Sequence, residues 1–587
     1  MEIALVLGLL VVAIILFATE KLSVDIITLI LLIILVLSGI LVPKEAFEGF
    51  SSDFIIILAS IFVISGALRE TGMLDRIGAN LTTITQVKPA ALTLVIMGIT
   101  GSISAFMNNT TVTALLVGPV MGICRKLNIS ASKILIPMAF ASILGGTCTL
   151  IGTSTNVAVS GYLIQAKLAP VGMFEILPMG LIMFGTGVLY IWAVGRRFLP
   201  DHKDYSLTEN YAIREYLSEV VVVKNSPLIG QKIVTSNLSG LDIRILKLIR
   251  NKTQYFPHPY LVIEEGDMLL VETKIDQLLK IRETSGIEIK ADTLKDITIE
   301  TADIQLAEVL ITNSESELVG LTIKSAGFRQ RYGLVVLAIY RHGQTLRDKI
   351  SSIELHLGDL LLVQGTSNRI QAIRERHDLA IMGEEFTPIK YKEKRGLFTV
   401  ITFMLAVIIG SLELAPLSIC FLMAAVLTVL SKAIPLEKAY TAIDWRLLIL
   451  IGGMSAFGKA MEKTGASNFL AMHIVDLLSP FGTISILAGF ILLTVFLTQP
   501  MSNAAAALVV LPIALQTAQQ LGANPRSFGI AIMLAASVSL VTPFEPSCIL
   551  VYGPGKYKFM DFFKTGSVLT LLLIALLVIF VPIFWPF

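Results

Sequence analysis

Small polar residues interrupt long apolar runs at two widely separated places in this chain, and few sequence features constrain a fold more tightly. The first run, Ser102 to Thr113, carries Asn108, Asn109 and Thr110; the second, Thr498 to Ala507, carries Ser502 and Asn503. Each is followed by another polar stretch: Gly145 to Asn156, rich in Gly and hydroxyl residues, and Ser537 to Ser547, broken by Pro543 and Pro546. A lipid-facing helix cannot leave backbone groups unpaired, so such stretches belong where broken helices line a cavity. Repeat-built transporters place their substrate and coupling-ion sites there.

Composition supports the membrane setting. Hydrophobic residues make up 54% of the 587 and charged residues 15%, with a mean hydropathy of +0.78, unlike a soluble average. The formal net charge of +2 gives no reason to expect a nucleic-acid partner. Met1 to about Ala18 has no basic n-region and no small-residue cleavage site, so it reads as a retained transmembrane helix. Apolar runs near 24–42, 53–68, 90–123, 133–165 and 171–196 lead into a charged, alternating insert from about Gly195 to Gly396. Runs then resume near 397–431, 445–461, 470–498, 503–520, 527–552 and 565–586. Each is long enough to span a bilayer or to form half of a re-entrant hairpin. Cys124, Cys148, Cys420 and Cys548 lie in apolar surroundings without metal-like spacing and read as small core residues. With no nucleophile–base pair, metal cluster or phosphate loop in view, the sequence argues against an enzyme.

The two membrane halves echo each other. Ser65 to Gly72 precedes the Asn109 cluster as Gly458 to Gly465 precedes Asn503, and Glu45-Ala46-Phe47 finds a counterpart in Lys438-Ala439-Tyr440. The insert carries its own duplication. Glu219 to Gly230 leads to Glu265-Gly266-Asp267 and the strand-like Met268 to Val271; Glu308 to Gly320 leads to Gly358-Asp359 and Leu360 to Val363. Each unit opens on a β-branched strand and closes on a Gly-Asp turn into another.

These residues carry a family resemblance. The membrane halves resemble the divalent anion/sodium symporter family, in the arrangement of its bacterial and algal sulfate-transporter-like branch. The insert is similar to tandem TrkA C-terminal regulatory domains, through Asn225-Ser226-x-Leu228-x-Gly230 and the Gly-Asp-x-Leu-Leu-Val strings at Gly266 and Gly358. The resemblance implies a polytopic α-helical membrane protein with inverted repeats and re-entrant hairpins, interrupted by two small α/β cytosolic regulatory domains. The expected boundaries are 1–198 and 395–587 for the membrane repeats, and 206–290 and 296–382 for the regulatory domains. It further implies a homodimer with an elevator-type mechanism, and a nucleotide or other small cytosolic effector on the insert. Arg125-Lys126 and Arg196-Arg197 with Lys203 flank membrane ends near the insert, so the insert reads as cytoplasmic, and the resemblance implies a bacterial inner membrane.

The site residues follow from chemistry and resemblance together. A desolvated sodium ion takes oxygens from amides, hydroxyls and freed carbonyls, and an oxyanion takes donors from Asn, Thr and helix N-termini. By resemblance, Asn108, Asn109, Thr110, Ser502, Asn503, Thr542 and Pro543 contact substrate, and Asn109, Gly152, Thr153, Ser154, Asn156, Asn503, Ser539 and Thr542 hold sodium. The family pattern at each tip is Ser-Asn-Thr, whereas this chain has Asn108-Asn109-Thr110 and Ser502-Asn503-Ala504, so the second tip lacks a hydroxyl. Glu545 also departs from the dicarboxylate branch, where glycine is expected, with Thr-Asn in place of Cys548-Ile549. An intramembrane carboxylate is a functional candidate: it can bind sodium, carry a proton, or pair with Lys556 or Lys558. Neither tip has Lys or Arg, so a transported anion depends on sodium for its countercharge.

The expectation is a sodium-coupled importer of a small divalent oxyanion, sulfate ahead of dicarboxylates. Sodium/proton exchange or metalloid-oxyanion transport, with Glu545 as carrier, and a transporter-like nutrient sensor remain open alternatives. Asp75, Arg69, Glu70, Glu462 and Lys463 read as interfacial helix ends; His202, His258, His342, His356 and His377 read as solvated surface, and His473 as packed or interfacial.

Overall fold

The computed structural model describes residues 2–19, 22–73, 89–127, 129–201, 215–224, 226–233, 244–250, 253–255, 261–274, 287–289, 304–313, 316–341, 344–346, 350–373, 378–382, 393–412 and 414–587. Asp75, His202, Lys203, His258, His342 and His377 lie outside them.

The membrane body is helical. Its first half comprises α1 (Glu2–Thr19), α2 (Val24–Leu37), α3 (Asp53–Glu70), α4 (Pro89–Ser104), α5 (Asn109–Lys126), α6 (Leu135–Gly145), α7 (Ser154–Gln165) and α8 (Leu177–Ala193). The second half comprises α9 (Glu393–Ser411), α10 (Leu417–Leu430), α11 (Trp445–Lys463), α12 (Ala466–Leu478), α13 (Thr483–Leu497), α14 (Asn503–Gln520), α15 (Pro525–Ala535), α16 (Pro546–Tyr552) and α17 (Phe559–Phe584). Among the described residues, four helices are long and apolar enough to cross a membrane, among them α1 and α17, of which only 22% and 28% is buried within the chain. Leu571, Ile579 and Ile583 of α17 are exposed, an arrangement suited to lipid rather than water. Two expected continuous runs are divided. Gly482, at φ +82°, separates α12 from α13 within 470–498, and Pro416 precedes α10 within 397–431.

The order of elements recurs, and so do their contacts. α2 packs on α11 while α3 packs on α10; α5 packs on α16 while α7 packs on α14. Polar bonds join the halves as well: Lys438 to Glu70 and Lys463 to Glu45, each at 2.8 Å, and Lys459 to Glu48. The buried Tyr557 hydroxyl donates to the Ser132 carbonyl at 2.6 Å and accepts from the Ile136 amide, tying the loop before α17 to the start of α6.

Between the halves lie two antiparallel sheets. The first contains β1 (Glu215–Val222), β2 (Arg244–Arg250), β3 (Thr253–Tyr255), β4 (Met268–Lys274) and β5 (Ile287–Ile289), and runs β3-β2-β4-β1-β5. The second contains β6 (Ile304–Ile311), β7 (Val335–Arg341), β8 (Gln344–Thr345), β9 (Leu360–Thr366) and β10 (Leu379–Met382), and runs β8-β7-β9-β6-β10, the same order. Each sheet has a bulge at the same place, between Ile245 and Lys247 and between Val336 and Ala338. Each Gly-Asp turn is held alike. Asp267 and Asp359 are fully buried and take the guanidinium Nε of Arg250 and Arg341 at 2.7 and 2.6 Å. Their second oxygens accept the Glu264 and His356 amides at 2.8 Å.

The second sheet is seated on the membrane body. Leu310, Leu360 and Met382 belong to the same apolar core as the transmembrane helices, and β10 lies against α5. The Gly358 turn, at φ +81°, approaches α16 so closely that a Cβ there would lie 2.7 Å from the Ile549 side chain.

Candidate functional site

In the first half the chain turns at 105–108, and Asn109 opens α5. Asn108 caps this turn, its Oδ1 accepting the Thr110 amide at 2.9 Å. Asn109 is buried, and its Oδ1 accepts from Ser104 Oγ at 2.8 Å. Between α6 and α7 the helix unwinds. Gly146 lies so near Asn109 that a Cβ on it would be 2.5 Å from Asn109 Oδ1 and 2.7 Å from the Thr153 methyl; one on Gly152 would strike the Gly146 carbonyl. Asn156, fully buried, donates both amide hydrogens to the chain, to the Gly146 carbonyl at 3.2 Å and the Thr149 carbonyl at 2.9 Å. Its Oδ1 is buried without a protein partner. Thr153 caps α7 by accepting the Asn156 amide at 3.2 Å. Ser154 opens the same helix and makes no side-chain hydrogen bond to this cluster among the described residues.

The second half repeats the plan with different side chains. Ser502 caps α14 by accepting the Ala505 amide at 3.3 Å, and Asn503 is the first residue of that helix. α15 gives way to a break that includes Pro543 and ends at α16. Thr542 Oγ1 donates to Gln499 Oε1 at 3.3 Å, and Ser539 Oγ donates to the Thr498 carbonyl at 3.2 Å. Ser539 thereby does for the second hairpin what Thr149, bonded to the Ala105 carbonyl, does for the first. Glu545 stands where Thr153 stands, as the N-cap of the second helix, accepting the Ser547 amide at 2.7 Å and Ser547 Oγ at 3.4 Å. It is buried, and among the described residues it does not pair with Lys556 or Lys558.

Each break rests on a glycine of the next helix but one. A Cβ on Gly180 of α8 would meet the Thr147 carbonyl and the Cys148 Cα at 2.6 Å, and one on Gly566 of α17 would strike the Leu540 carbonyl. Ser104, Thr149 and Gln499 join the named residues by geometry. Ser104 and Gln499 lie in the polar runs that marked the hairpins, Ser104 at the end of α4 and Gln499 in the turn after α13, and that position is their signal.

Two helix-turn-helix units with polar turns and two broken helices thus lie together inside an apolar helical body. The citrate transporter family model, CitMHS, matches residues 14–532. The chain belongs to that family, within the divalent anion/sodium symporter superfamily. It is 33% identical to the uncharacterized transporter sll0640 of Synechocystis sp. over 97% of this chain and 95% of that one. It is 28% identical to the uncharacterized transporter YfbS of Escherichia coli over 100% of both. Sodium/sulfate cotransporter 1 of Chlamydomonas reinhardtii is 25% identical over 61% of this chain and 42% of its own length. The YdaH transporter of Alcanivorax borkumensis superposes with a TM-score of 0.46 at 10% identity, over 92% of this chain and 87% of that one.

Proposed function

We propose that the chain is a sodium-coupled symporter that imports a small divalent oxyanion, sulfate ahead of dicarboxylates, by alternating access between two inverted repeats. The observation that carries the reading is Asn156. Its amide hydrogens are both committed to carbonyls of the first break, and its buried Oδ1 is left with no protein donor. An oxygen with no hydrogen offered to it is suited to a cation. Asn109, Asn503, Thr542 and Thr110 then supply amide and hydroxyl groups for the anion, with Asn108, Ser502 and Pro543 shaping the tips. Gly152, Thr153, Ser154 and Ser539 complete the oxygen-rich surroundings of the ions.

A carboxylate at the second break repels a divalent anion, sulfate or dicarboxylate alike, unless a cation lies between them, so Glu545 supports cation coupling. It provides the charged oxygen of the second cation site, in the place Thr153 holds in the first. The sulfate relatives agree with sulfate as the substrate, whereas the family's name keeps a carboxylate substrate as the second reading. The insert tunes transport by binding a small cytosolic effector in one conformation better than in the other.

The test is uptake of labelled sulfate into proteoliposomes, with succinate and citrate in parallel, with and without an inward sodium gradient. Sodium-driven sulfate accumulation that disappears in Asn109→Ala and Asn503→Ala is expected. Uptake of the carboxylates instead moves the substrate to the second reading, and sodium-independent uptake overturns the coupling.

A further inference from the structure

We propose that a cavity at the insert-side edge of the membrane body, remote from the polar tips, binds the phosphate headgroup of an anionic phospholipid. The cavity encloses about 350 Å³ where α8 ends, α4 begins and the 129–134 segment enters α6. Lys133, Arg196, Arg197 and Thr93 line it, with Ile134 and Ala193 among its apolar walls. Lys133 already has a carboxylate, that of Asp201. Neither Arg196 nor Arg197 meets a carboxylate among the described residues, and both are exposed. Two adjacent guanidiniums on one concavity match a phosphate diester, which Arg engages through paired N–H bonds.

The apolar surroundings select a lipid over a soluble anion. Trp192, Val194 and Phe198, on the same stretch as the two arginines, are exposed at 53%, 41% and 40%. Apolar and aromatic groups beside clustered cations at a helix end form the arrangement that meets headgroup and acyl chain together. The site is separate from the proposed anion path: Thr93 precedes Ser104 on α4 by about 16 Å along the helix. The leaflet involved rests on the proposed cytoplasmic side of the insert, but binding itself does not. Because α4 leads to the first tip and the 129–134 segment leads to the first break, a lipid seated here braces the elements that position Asn109 and Gly146.

The experiment compares the full chain with R196Q/R197Q, R196K/R197K and K394Q, the last removing an exposed cation elsewhere on the same body. Retention of phosphatidylglycerol and phosphatidylcholine is measured by native mass spectrometry, and thermal unfolding in mixed micelles is followed with each lipid. The expected result is phosphatidylglycerol binding about tenfold weaker in R196Q/R197Q, near wild type in K394Q and largely kept in R196K/R197K. Preservation of R196K/R197K shows that the pair of positions tolerates substitution, so a loss in the glutamine variant is a loss of charge. Equal phosphatidylglycerol retention in R196Q/R197Q and wild type, or an equal loss in K394Q, overturns the proposal. So does displacement of the lipid by millimolar inorganic phosphate with the same thermal shift, which assigns the cavity to a soluble anion. Sulfate uptake is not the readout, so the result stands apart from the transport reading.

Discussion

Asn156 shows how a single side chain can be fixed by its donors in order to leave its acceptor unused. Asn156→Ala removes two hydrogen bonds to backbone carbonyls, a loss of about 2 kcal/mol at roughly 1 kcal/mol each. It also removes the proposed cation oxygen. The wild type is expected to unfold at rising temperature as sodium increases, as binding to the native state requires. Asn156→Ala is expected to lose that dependence, which a thermal scan in sodium against potassium measures without any transport assay. Glu545→Gln keeps an acceptor for the Ser547 amide and hence the cap on α16, but removes the charge. Its expected effect is a roughly tenfold rise in the sodium concentration for half-maximal uptake, about 1.4 kcal/mol; an unchanged sodium curve would leave Glu545 with a capping role alone. At this scale the sequence was informative because the polar residues stand out against apolar neighbours. Asn109, Thr153 and Thr542 were visible for that reason, whereas Gly180 and Gly566 were not. Their importance depends on which turn of a later helix faces the break, and one strand of sequence carries no such register.

The strands of the insert make the same point for whole elements. Their Gly-Asp turns announced β4 and β9, because a turn followed by β-branched and aliphatic residues has few other readings. The arginine that neutralises each aspartate was not legible, since Arg250 and Arg341 lie on β2 and β7, and only strand order brings those beside β4 and β9. Removing one member of a buried pair leaves an uncompensated charge and typically costs about 3–5 kcal/mol. Arg341→Gln is therefore expected to loosen β6 to β10 while the helices stay folded, seen as faster hydrogen exchange confined to 304–382. Among the helices, the breaks were legible from Gly and Pro, but the partition of 470–498 into α12 and α13 was not. Both pieces are apolar, and hydropathy averages across the turn between them.

For the molecule as a whole, the joints between halves decide how it withstands changes of pH and truncation. Glu175, in the loop before α8, accepts from Arg526 at 2.6 Å, from the Gly172 amide at 2.8 Å and from Trp585 Nε1 at 2.9 Å, so it clasps the first half to the end of the second. Burial pushes its carboxyl up, but the hydrogen bonds from Arg526, Gly172 and Trp585, with the charge of Arg526, outweigh burial and hold it below the usual range. A carboxyl depressed in the folded state adds stability above its unfolded pKa of about 4.3 and loses it as pH falls through the folded value. Glu175→Gln is thus expected to melt lower than wild type at neutral pH, with the gap closing only under acid. A gap that stayed constant down to acid pH would place the effect elsewhere. The order of elements, helices then strands then helices, was legible from hydropathy, but the seating of the second sheet was not, because it depends on a few aliphatic contacts between distant segments. That seating makes the two sheets unequal as modules. Each has a core of its own, around Val220, Leu248 and Leu269 in the first and around Val309, Leu361 and Val363 in the second, but the first shares none of its core with the helices. The second shares Leu310, Leu360 and Met382 with the helices, and excising it would expose a greasy scar on α5 and α16. A lineage can therefore replace the first unit by refitting its seam with β7, but it can discard the second only by resurfacing the transporter beneath it.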